Sequence, residues 1–190
     1  MLTKHTQELV NAFGFLYQEE AELLQMHTEL IPENGVCVNI GAGVGTSALA
    51  VLEKRPDLTD TFYTIDKTEE GNPFGGLGNE RNAFDNAGMS YPNHIVGDSK
   101  EIGKEWKLGK VDFLIIDGDH SAEGIRGDIA AWEPHLKKNS IVFVHDYHSV
   151  NWNDVAEAVD ELMLNSNKYK LLDHVRTYIS FVYTGERKKK

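Results

Sequence analysis

Five short apolar runs alternate with helical segments in the middle of the chain, and this alternation constrains the fold more than any other feature. Each run has four to six residues, is rich in β-forming side chains and is apolar on both faces: VCVNI, TFYTI, HIVG, VDFLII and SIVFV. Such runs are typical of parallel strands covered by helices on two sides. The intervening helices are predicted over Thr46–Lys54, Glu80–Gly88, Ser99–Trp106 and Ser121–Leu136. The pattern predicts a doubly wound α/β sheet.

The two ends of the chain depart from this alternation. After a helix predicted over Asp154–Leu164, the strand-like runs YKLLDHV and TYISFVYTG follow with almost no connection between them. Because parallel neighbours need a crossover, these runs are predicted to form an antiparallel hairpin that closes a seven-stranded sheet. At the start, Thr6–Leu30 has helical apolar spacing that is broken near Gly14.

Length and charge favour one domain that does not bind nucleic acid. The 190 residues fit a single domain, with a helical cap over residues 1–32 and a basic tail over residues 187–190. Net charge is −11, and without the four cationic tail residues it is −15, from 15 basic and 30 acidic groups. An acidic body of this kind repels a phosphate backbone. The basic tail is expected to be a solvated end.

The sequence predicts a cytoplasmic protein that does not enter a membrane. Its first residues contain no basic segment followed by an apolar core, so no signal peptide is predicted. The uncharged run of residues 36–52 is interrupted by glycines and Asn39, which makes it a poor membrane span. The single cysteine, Cys37, is expected to be a buried thiol in a reducing compartment.

A glycine-rich turn follows the first predicted strand. Gly41, Gly43 and Gly45 precede Thr46 at the start of a helix, where bare backbone and free amides favour a polar or anionic ligand. The dinucleotide fingerprint requires glycine at the position of Thr46, and no lysine follows as in a phosphate-binding loop. The glycines therefore indicate either a different nucleotide-like ligand or a tight structural turn.

Polar side chains at the next two strand ends favour an adenosine-containing ligand. Asp66 ends the second strand, where a carboxylate can accept hydrogen bonds from a ribose diol. Asp98 and Ser99 follow the third strand and could contact an adenine amino group. Each also has a simpler interpretation, as a solvated loop acid or a helix cap.

Acids and histidines follow the fourth and fifth strands. Adjacent parallel strands lie about 5 Å apart, so these two ends are expected to face each other. Carboxylates and imidazoles gathered there would be costly without a cation or mutual hydrogen bonds. The cluster therefore indicates either an oxygen-rich site for magnesium or another divalent cation, or a hydrogen-bonded network that holds the loops. The residues concerned are Asp117, Asp119, His120, His145, Asp146 and His148.

Taken in their order along the chain, these motifs resemble those of the class I S-adenosylmethionine-dependent methyltransferases, from about Val36 to Gly185. The motifs IDGDHS and HDY are similar to those of the small O-methyltransferases related to catechol and caffeoyl-CoA methyltransferases. The resemblance is closer still to the branch that contains macrocin O-methyltransferase and the cephalosporin hydroxylase-like proteins. This resemblance implies a Rossmann-like, mostly parallel seven-stranded sheet with a reversed C-terminal strand and helices on both faces.

The resemblance also implies which residues bind the cofactor. Gly41, Gly43 and Gly45 would line its methionine part, Asp66 its ribose, and Asp98 with Ser99 its adenine. Asn39 departs from the pattern, since many relatives have an acidic residue there that contacts the cofactor amino group. Asparagine could still accept that hydrogen bond, without the charge.

For the metal, the resemblance implies Asp117 as first ligand, beside the cofactor, and Asp146 as second. In the relatives, the second pair of metal ligands lies at the end of the fifth strand, and two alignments that differ by one residue match it to this chain. His145 is therefore the weaker candidate, and Asp119 and His148 remain alternatives. Relatives carry a lysine base three residues after the first metal aspartate, where this chain has His120. A histidine can accept a hydroxyl proton that a metal has already acidified.

The sequence thus predicts metal-assisted O-methylation of a small hydroxylated molecule, with S-adenosylmethionine as methyl donor and His120 as base. Two alternatives stay open: a protein of the same fold that binds the cofactor without turnover, and a metallohydrolase centred on the two acidic strand ends. The amino-terminal helices are predicted either to cap the acceptor site or to form a homodimer contact.

Overall fold

The computed structural model describes residues 1–71 and 73–185, and within them a single seven-stranded sheet is formed. The strand order is β3-β2-β1-β4-β5-β7-β6. β7 pairs antiparallel with both β5 and β6, whereas the other neighbours are parallel. The predicted fold is confirmed. The strands are β1 (Val36–Ile40), β2 (Phe62–Asp66), β3 (Asn93–Val96), β4 (Val111–Ile116), β5 (Leu136–Val144), β6 (Tyr169–Val175) and β7 (Tyr178–Tyr183).

Helices cover both faces of the sheet. Alternate residues of β4 separate the two cores: Phe113 and Ile115 pack towards one side, Leu114 and Ile116 towards the other. The first side is covered by α1 to α4 and the second by α5 to α7. The helices are α1 (Lys4–Phe13), α2 (Gln18–His27), α3 (Thr46–Leu52), α4 (Leu77–Ala87), α5 (Ser99–Glu105), α6 (Ala122–Trp132) and α7 (Asn153–Val159), the last continuing as a π-helical turn over Asp160–Leu164.

Several helices and strands begin or end at residues other than those predicted from the sequence. The helix predicted to reach Leu136 ends at Trp132, because Pro134 lacks an amide hydrogen and cannot continue it, and β5 starts directly at Leu136. The fourth helix begins three residues earlier than predicted, at Leu77. The strand β3 is an edge strand and is half-exposed rather than buried on both faces.

The amino-terminal segment folds as two helices, broken where the sequence indicated. Gly14 has a φ of 66°, a left-handed conformation that ends α1. Residues 28–30 add a 3₁₀ turn after α2. Within residues 1–71 and 73–185, no helix combines the length and the apolar character needed to cross a membrane. Cys37 is fully buried as predicted, and the basic tail over residues 187–190 lies outside the described residues.

Candidate functional site

A cavity of about 1020 Å³ opens at the carboxyl edge of the sheet. The ends of β1, β2, β4 and β5 form its floor, and the turn between α1 and α2 forms one wall. Ligands of open α/β sheets bind at this edge, so the cavity is the candidate site. The predicted residues that line it are Gly41, Gly43, Asp66, Ser99, Asp117, Asp119, His120, His145, Asp146 and His148.

The glycines of the first turn serve different purposes. A Cβ atom on Gly41 would lie 2.1 Å from the carbonyl oxygen of Asp117, so this position must be glycine for the fold. Gly45 starts α3 with a φ of 90°, and a Cβ there would press against α4. A Cβ on Gly43 would meet no atom of the described residues within 4 Å, and this residue lines the cavity. Of the three, Gly43 is the one whose missing side chain leaves open space.

Asn39 lies beneath this turn rather than in the cavity lining. Its side chain is fully buried, and its Nδ2 donates to the carbonyl oxygen of Gly41 at 3.0 Å. Its Oδ1 is buried and accepts no hydrogen bond from the residues that the structure describes. The asparagine therefore braces the glycine turn and retains one unused acceptor.

Asp66 is held by two backbone amides at the cavity wall. Its Oδ2 accepts from the amide of Ala42 at 2.9 Å, and its Oδ1 accepts from the amide of Thr68 at 2.7 Å. Each carboxylate oxygen can accept a second hydrogen bond. The carboxylate is thus fixed in orientation and still able to bind a pair of hydroxyl groups.

Asp98 and Ser99 lie at the start of α5. Asp98 caps the helix by accepting from the amide of Lys100 at 2.8 Å, and it pairs with Lys67 at 2.9 Å. It is absent from the cavity lining within the described part of the chain, whereas Ser99 lines the cavity and donates its hydroxyl hydrogen to buried Asp128.

Asp128 provides a test of the packing beneath Ser99. Burial raises the pKa of Asp128 to about 6, against an ordinary value of 3.8, so its contribution to stability is present below pH 3.8 and is lost as the pH rises towards 6. We expect Asp128→Asn to increase the free energy of unfolding at pH 8 by roughly 1–3 kcal/mol and to change it little at pH 3.5. Urea unfolding at the two pH values measures the difference. Asp85 on α4 is exposed, and Asp85→Asn is the control. An equal increase in the free energy of unfolding of Asp128→Asn at both pH values would contradict the expectation.

Three side chains form a compact group at the cavity floor. The Nε2 of His120 lies 3.5 Å from Oδ1 of Asp117 and 3.3 Å from Oδ2 of Asp146. One ligand atom from each residue lies within 4.8 Å of the others, an arrangement that could hold a metal ion. Burial alone would raise the pKa of Asp117, but the neighbouring histidines lower it to about 2. Asp117 is therefore ionised at neutral pH.

His145, the weaker predicted ligand, lies beside the same two aspartates, with its Nδ1 3.8 Å from Oδ2 of Asp146, but it is more deeply buried than His120. Its Nδ1 lies 3.0 Å from Oδ1 of Asp117, its Nε2 lies 3.6 Å from Oε2 of Glu20, and its ring packs on Tyr178 with centroids 4.8 Å apart. Burial alone would lower the pKa of His145, but Asp117 raises it well above its ordinary value. The other two alternatives line the cavity but make different contacts. Asp119 accepts from the amide of Ser121 and pairs with Lys100, and the His148 ring packs at a tilt of 49° against the ring of Tyr147.

Two further residues lie near this group, and sequence reasoning missed the first. Glu20 is buried beside His145, although its position in the helix α2 resembles that of an ordinary N-terminal capping acid. Trp152 is half-exposed and lies beside His120 with ring centroids 4.9 Å apart. The tryptophan follows the acidic motif closely in sequence, which is the signal that marks it.

Comparison with known families agrees with this geometry. A profile described as "Methyltransferase domain" matches residues 38–147, which contain the glycine turn, Asp66 and the whole acidic group. The chain belongs to this methyltransferase family. Members of this family use S-adenosylmethionine as methyl donor. The chain is therefore an S-adenosylmethionine-dependent methyltransferase. A search of curated proteins found no significant match.

Several solved structures share the fold at low sequence identity. A protein from Corynebacterium glutamicum is 15% identical with a TM-score of 0.75, covering 97% of this chain and 90% of that one. The O-methyltransferase NovP is 17% identical with a TM-score of 0.71, covering 88% and 81%. The SAH-bound methyltransferase PaMTH1 from Podospora anserina is 16% identical with a TM-score of 0.70, covering 96% and 89%. At these identities the likeness concerns the fold.

Proposed function

We propose that this methyltransferase transfers the methyl group to a hydroxyl oxygen of a small molecule, with a divalent cation at Asp117 and Asp146. The observation that carries the proposal is the compact group of Asp117, His120 and Asp146 in the same cavity as the glycine turn. Oxygen ligands of this kind suit magnesium or manganese. An O-methyltransferase, NovP, also shares the fold.

The cofactor is assigned to the wall formed by Gly43 and Asp66. Open space over Gly43 suits a ligand lying against the backbone, and the two fixed oxygens of Asp66 suit a ribose diol. Ser99 is the better candidate for the adenine end, with Asp98 supporting it as the helix cap. Asn39 is assigned a bracing role under Gly41. When bound, S-adenosylmethionine supplies an electrophilic methyl group, so the protein mainly has to orient the acceptor and remove its proton.

The acidic group is assigned to the acceptor hydroxyl. Asp117 and Asp146 would hold the cation, which when bound lowers the pKa of a nearby hydroxyl group. His120, whose Nε2 lies within 3.5 Å of both carboxylates, is positioned to accept the proton that such a hydroxyl releases. The same distances also suit His120 as third ligand. His120→Ala separates the roles: a base is needed for turnover alone, whereas a ligand is needed for cation affinity as well.

The acceptor is assigned to the cavity mouth, where apolar side chains from three segments are exposed. Phe15 and Tyr17 come from the turn after α1, Phe74 from the loop before α4, and Val150 with Trp152 from the segment after β5. Exposed apolar groups gathered around one opening are typical of a ligand-binding groove. These exposed side chains favour a small acceptor that has an apolar surface beside its hydroxyl group.

Trp152 tests the acceptor assignment. We expect Trp152→Ala to raise the acceptor KM by about tenfold, since an apolar ring contact contributes on the order of 1–2 kcal/mol, and to leave the affinity for S-adenosylmethionine unchanged. Steady-state kinetics and calorimetry give the two quantities. Leu171→Ala is the matched control, because its exposed fraction of 48% is close to the 47% of Trp152 and it lies outside the cavity lining in the described part of the chain. Equal effects of the two variants would refute the assignment.

Calorimetry and a transfer assay test the function itself. We expect S-adenosylmethionine to bind the wild-type protein and to bind Asp66→Ala much more weakly. Methyl transfer to a panel of catechols and hydroxylated sugars should require added magnesium or manganese and should stop with a chelator. Binding without transfer to any member of the panel would favour the cofactor-binding protein, and undiminished transfer in the chelator would remove the cation from the proposal.

A further inference from the structure

Glu20 is a buried carboxylate that the proposed reaction does not use. Its exposed fraction is 0%, although it lies in the first turn of a helix near the protein surface. Burial of a carboxylate costs several kcal/mol unless hydrogen bonds and charges compensate it. An N-terminal capping glutamate does its work equally well while exposed to water. The burial of Glu20 therefore requires a reason beyond capping.

The carboxylate of Glu20 joins three separate segments. Oε2 accepts from the amide of Tyr17 at 2.8 Å, which fixes the turn between α1 and α2. Oε1 accepts from the amide of Thr177 at 2.8 Å and from its hydroxyl at 2.7 Å, which fixes the turn between β6 and β7. Oε2 also faces Nε2 of His145 at 3.6 Å. Tyr17, Thr177 and His145 all line the cavity.

His145 transmits this anchoring to the acidic group. Its imidazole lies between Glu20 on one side and two aspartates on the other. Nε2 is directed towards Glu20, whereas Nδ1 lies 3.0 Å from Oδ1 of Asp117 and 3.8 Å from Oδ2 of Asp146. The ring is rigid and packs against the buried Tyr178, so an interaction that orients one nitrogen also orients the other. The contact with Asp117 is a hydrogen bond, whereas the contact with Glu20 is a longer electrostatic one that leaves Nε2 without a hydrogen-bond partner among the described residues. Outer contacts to histidines and to ligating carboxylates orient the ligands of many metal centres.

We infer that Glu20 is a positioning residue for the methyl-transfer site. Acting through His145, it fixes the orientation of Asp117. Through Tyr17 and Thr177, it holds two walls of the acceptor side in register with that carboxylate. The inference rests on the proposed function for its catalytic consequence, whereas the orientation of His145 by Glu20 is a property of the free protein.

Glu20→Gln tests the catalytic consequence. Glutamine keeps the size and can still accept from Thr177, but it loses the charge that faces His145. We expect kcat to fall about 10- to 100-fold, the range found for residues that orient metal ligands, with the KM for S-adenosylmethionine changed less than about twofold. Glu20→Asp keeps the charge but shortens the side chain by one methylene group, so the carboxylate lies farther from His145. This variant should also lower kcat, and it replaces the glutamine variant if that one does not fold.

Glu53→Gln is the matched control. Glu53 is a largely buried carboxylate, with 8% of its side chain exposed, that accepts hydrogen bonds from Thr3 and Thr6 of the amino-terminal segment. It also contacts a histidine, His5, at 2.9 Å. It lies outside the cavity lining among the described residues. Its glutamine variant should lower the melting temperature and leave kcat unchanged. An equal loss of kcat in Glu53→Gln would show that Glu20 matters only for stability and would overturn the inference.

A double variant tests whether the effect passes through His145. If it does, Glu20→Gln should lower kcat no further in a His145→Gln background, because coupled residues are not additive. Additive losses would overturn the inference. Nitrogen-15 NMR of the His145 ring in the free protein gives a readout independent of turnover: its resonances should move in Glu20→Gln and stay in place in Glu53→Gln. Unmoved resonances overturn the inference, whereas a wild type that transfers no methyl group refutes the proposed function and leaves the NMR result to decide the role of Glu20.

Discussion

Asp117→Asn is expected to lower kcat for methyl transfer by about three orders of magnitude, or roughly 4 kcal/mol in the activation barrier. The variant removes one of the two carboxylates assigned to the cation and the negative charge that faces both His120 and His145. Asparagine has nearly the same shape, so the loss would report the charge rather than the packing. Rapid-quench or steady-state assays with saturating magnesium measure kcat.

Asp112 of β4 provides a control for the loss of one carboxylate charge, because Asp117 directly follows the same strand. Asp112 lies at the opposite end of β4, is nearly buried and contacts Lys137 at 2.7 Å. Asp112→Asn should reduce stability and leave kcat within about threefold of wild type, since its effects act on the folded state as a whole. If Asp117→Asn kept full activity in the presence of the cation, the acidic group would have a structural role alone.

The glycine turn gives the second large expected effect, through a pair of variants. Gly41→Ala should lose about 3–5 kcal/mol of folding free energy, because its Cβ would lie 2.1 Å from a backbone oxygen and its φ of 92° strains any other residue. Gly43→Ala should lose only about 1–2 kcal/mol, the cost of a left-handed conformation, since space is open around it. Urea unfolding measures both losses.

The same pair distinguishes turn geometry from ligand contact. Gly43→Ala should fold and yet bind S-adenosylmethionine at least tenfold more weakly, because the added methyl group would project into space assigned to the cofactor. Calorimetry on the folded variant measures the affinity. Wild-type affinity in Gly43→Ala would mean that the bare backbone at this position serves the turn alone.

Local patterns predicted the parts of the site that each strand end supplies by itself. The apolar runs located the strands, and the residues directly after them, Asp66 and Asp117, lie in the cavity as expected. The helical crossovers predicted parallel strands and the short connection before β7 predicted an antiparallel hairpin, whereas the plan of the whole sheet was implied by the family resemblance. These features depend on residues close together in the chain, which is why the sequence alone carries them.

Features that depend on distant segments were not predictable in the same way. The turn after β5 adopts a left-handed conformation at Asp146, with a φ of 60°, and His145 remains buried beside Tyr178. This local geometry groups His120 with the two aspartates. Glu20 gained its buried setting from Thr177, 157 positions later, and no periodicity or motif records such a contact.

The contact between Glu20 and Thr177 has a consequence for how the enzyme matures. Two turns that are 157 positions apart in the chain together close one wall of the cavity, and pairing across so long a stretch of chain is slow. The parallel strands β1, β2 and β4 are joined by much shorter crossovers. The acceptor side of the cavity should therefore reach its final shape late in folding, after the parallel part of the sheet has formed.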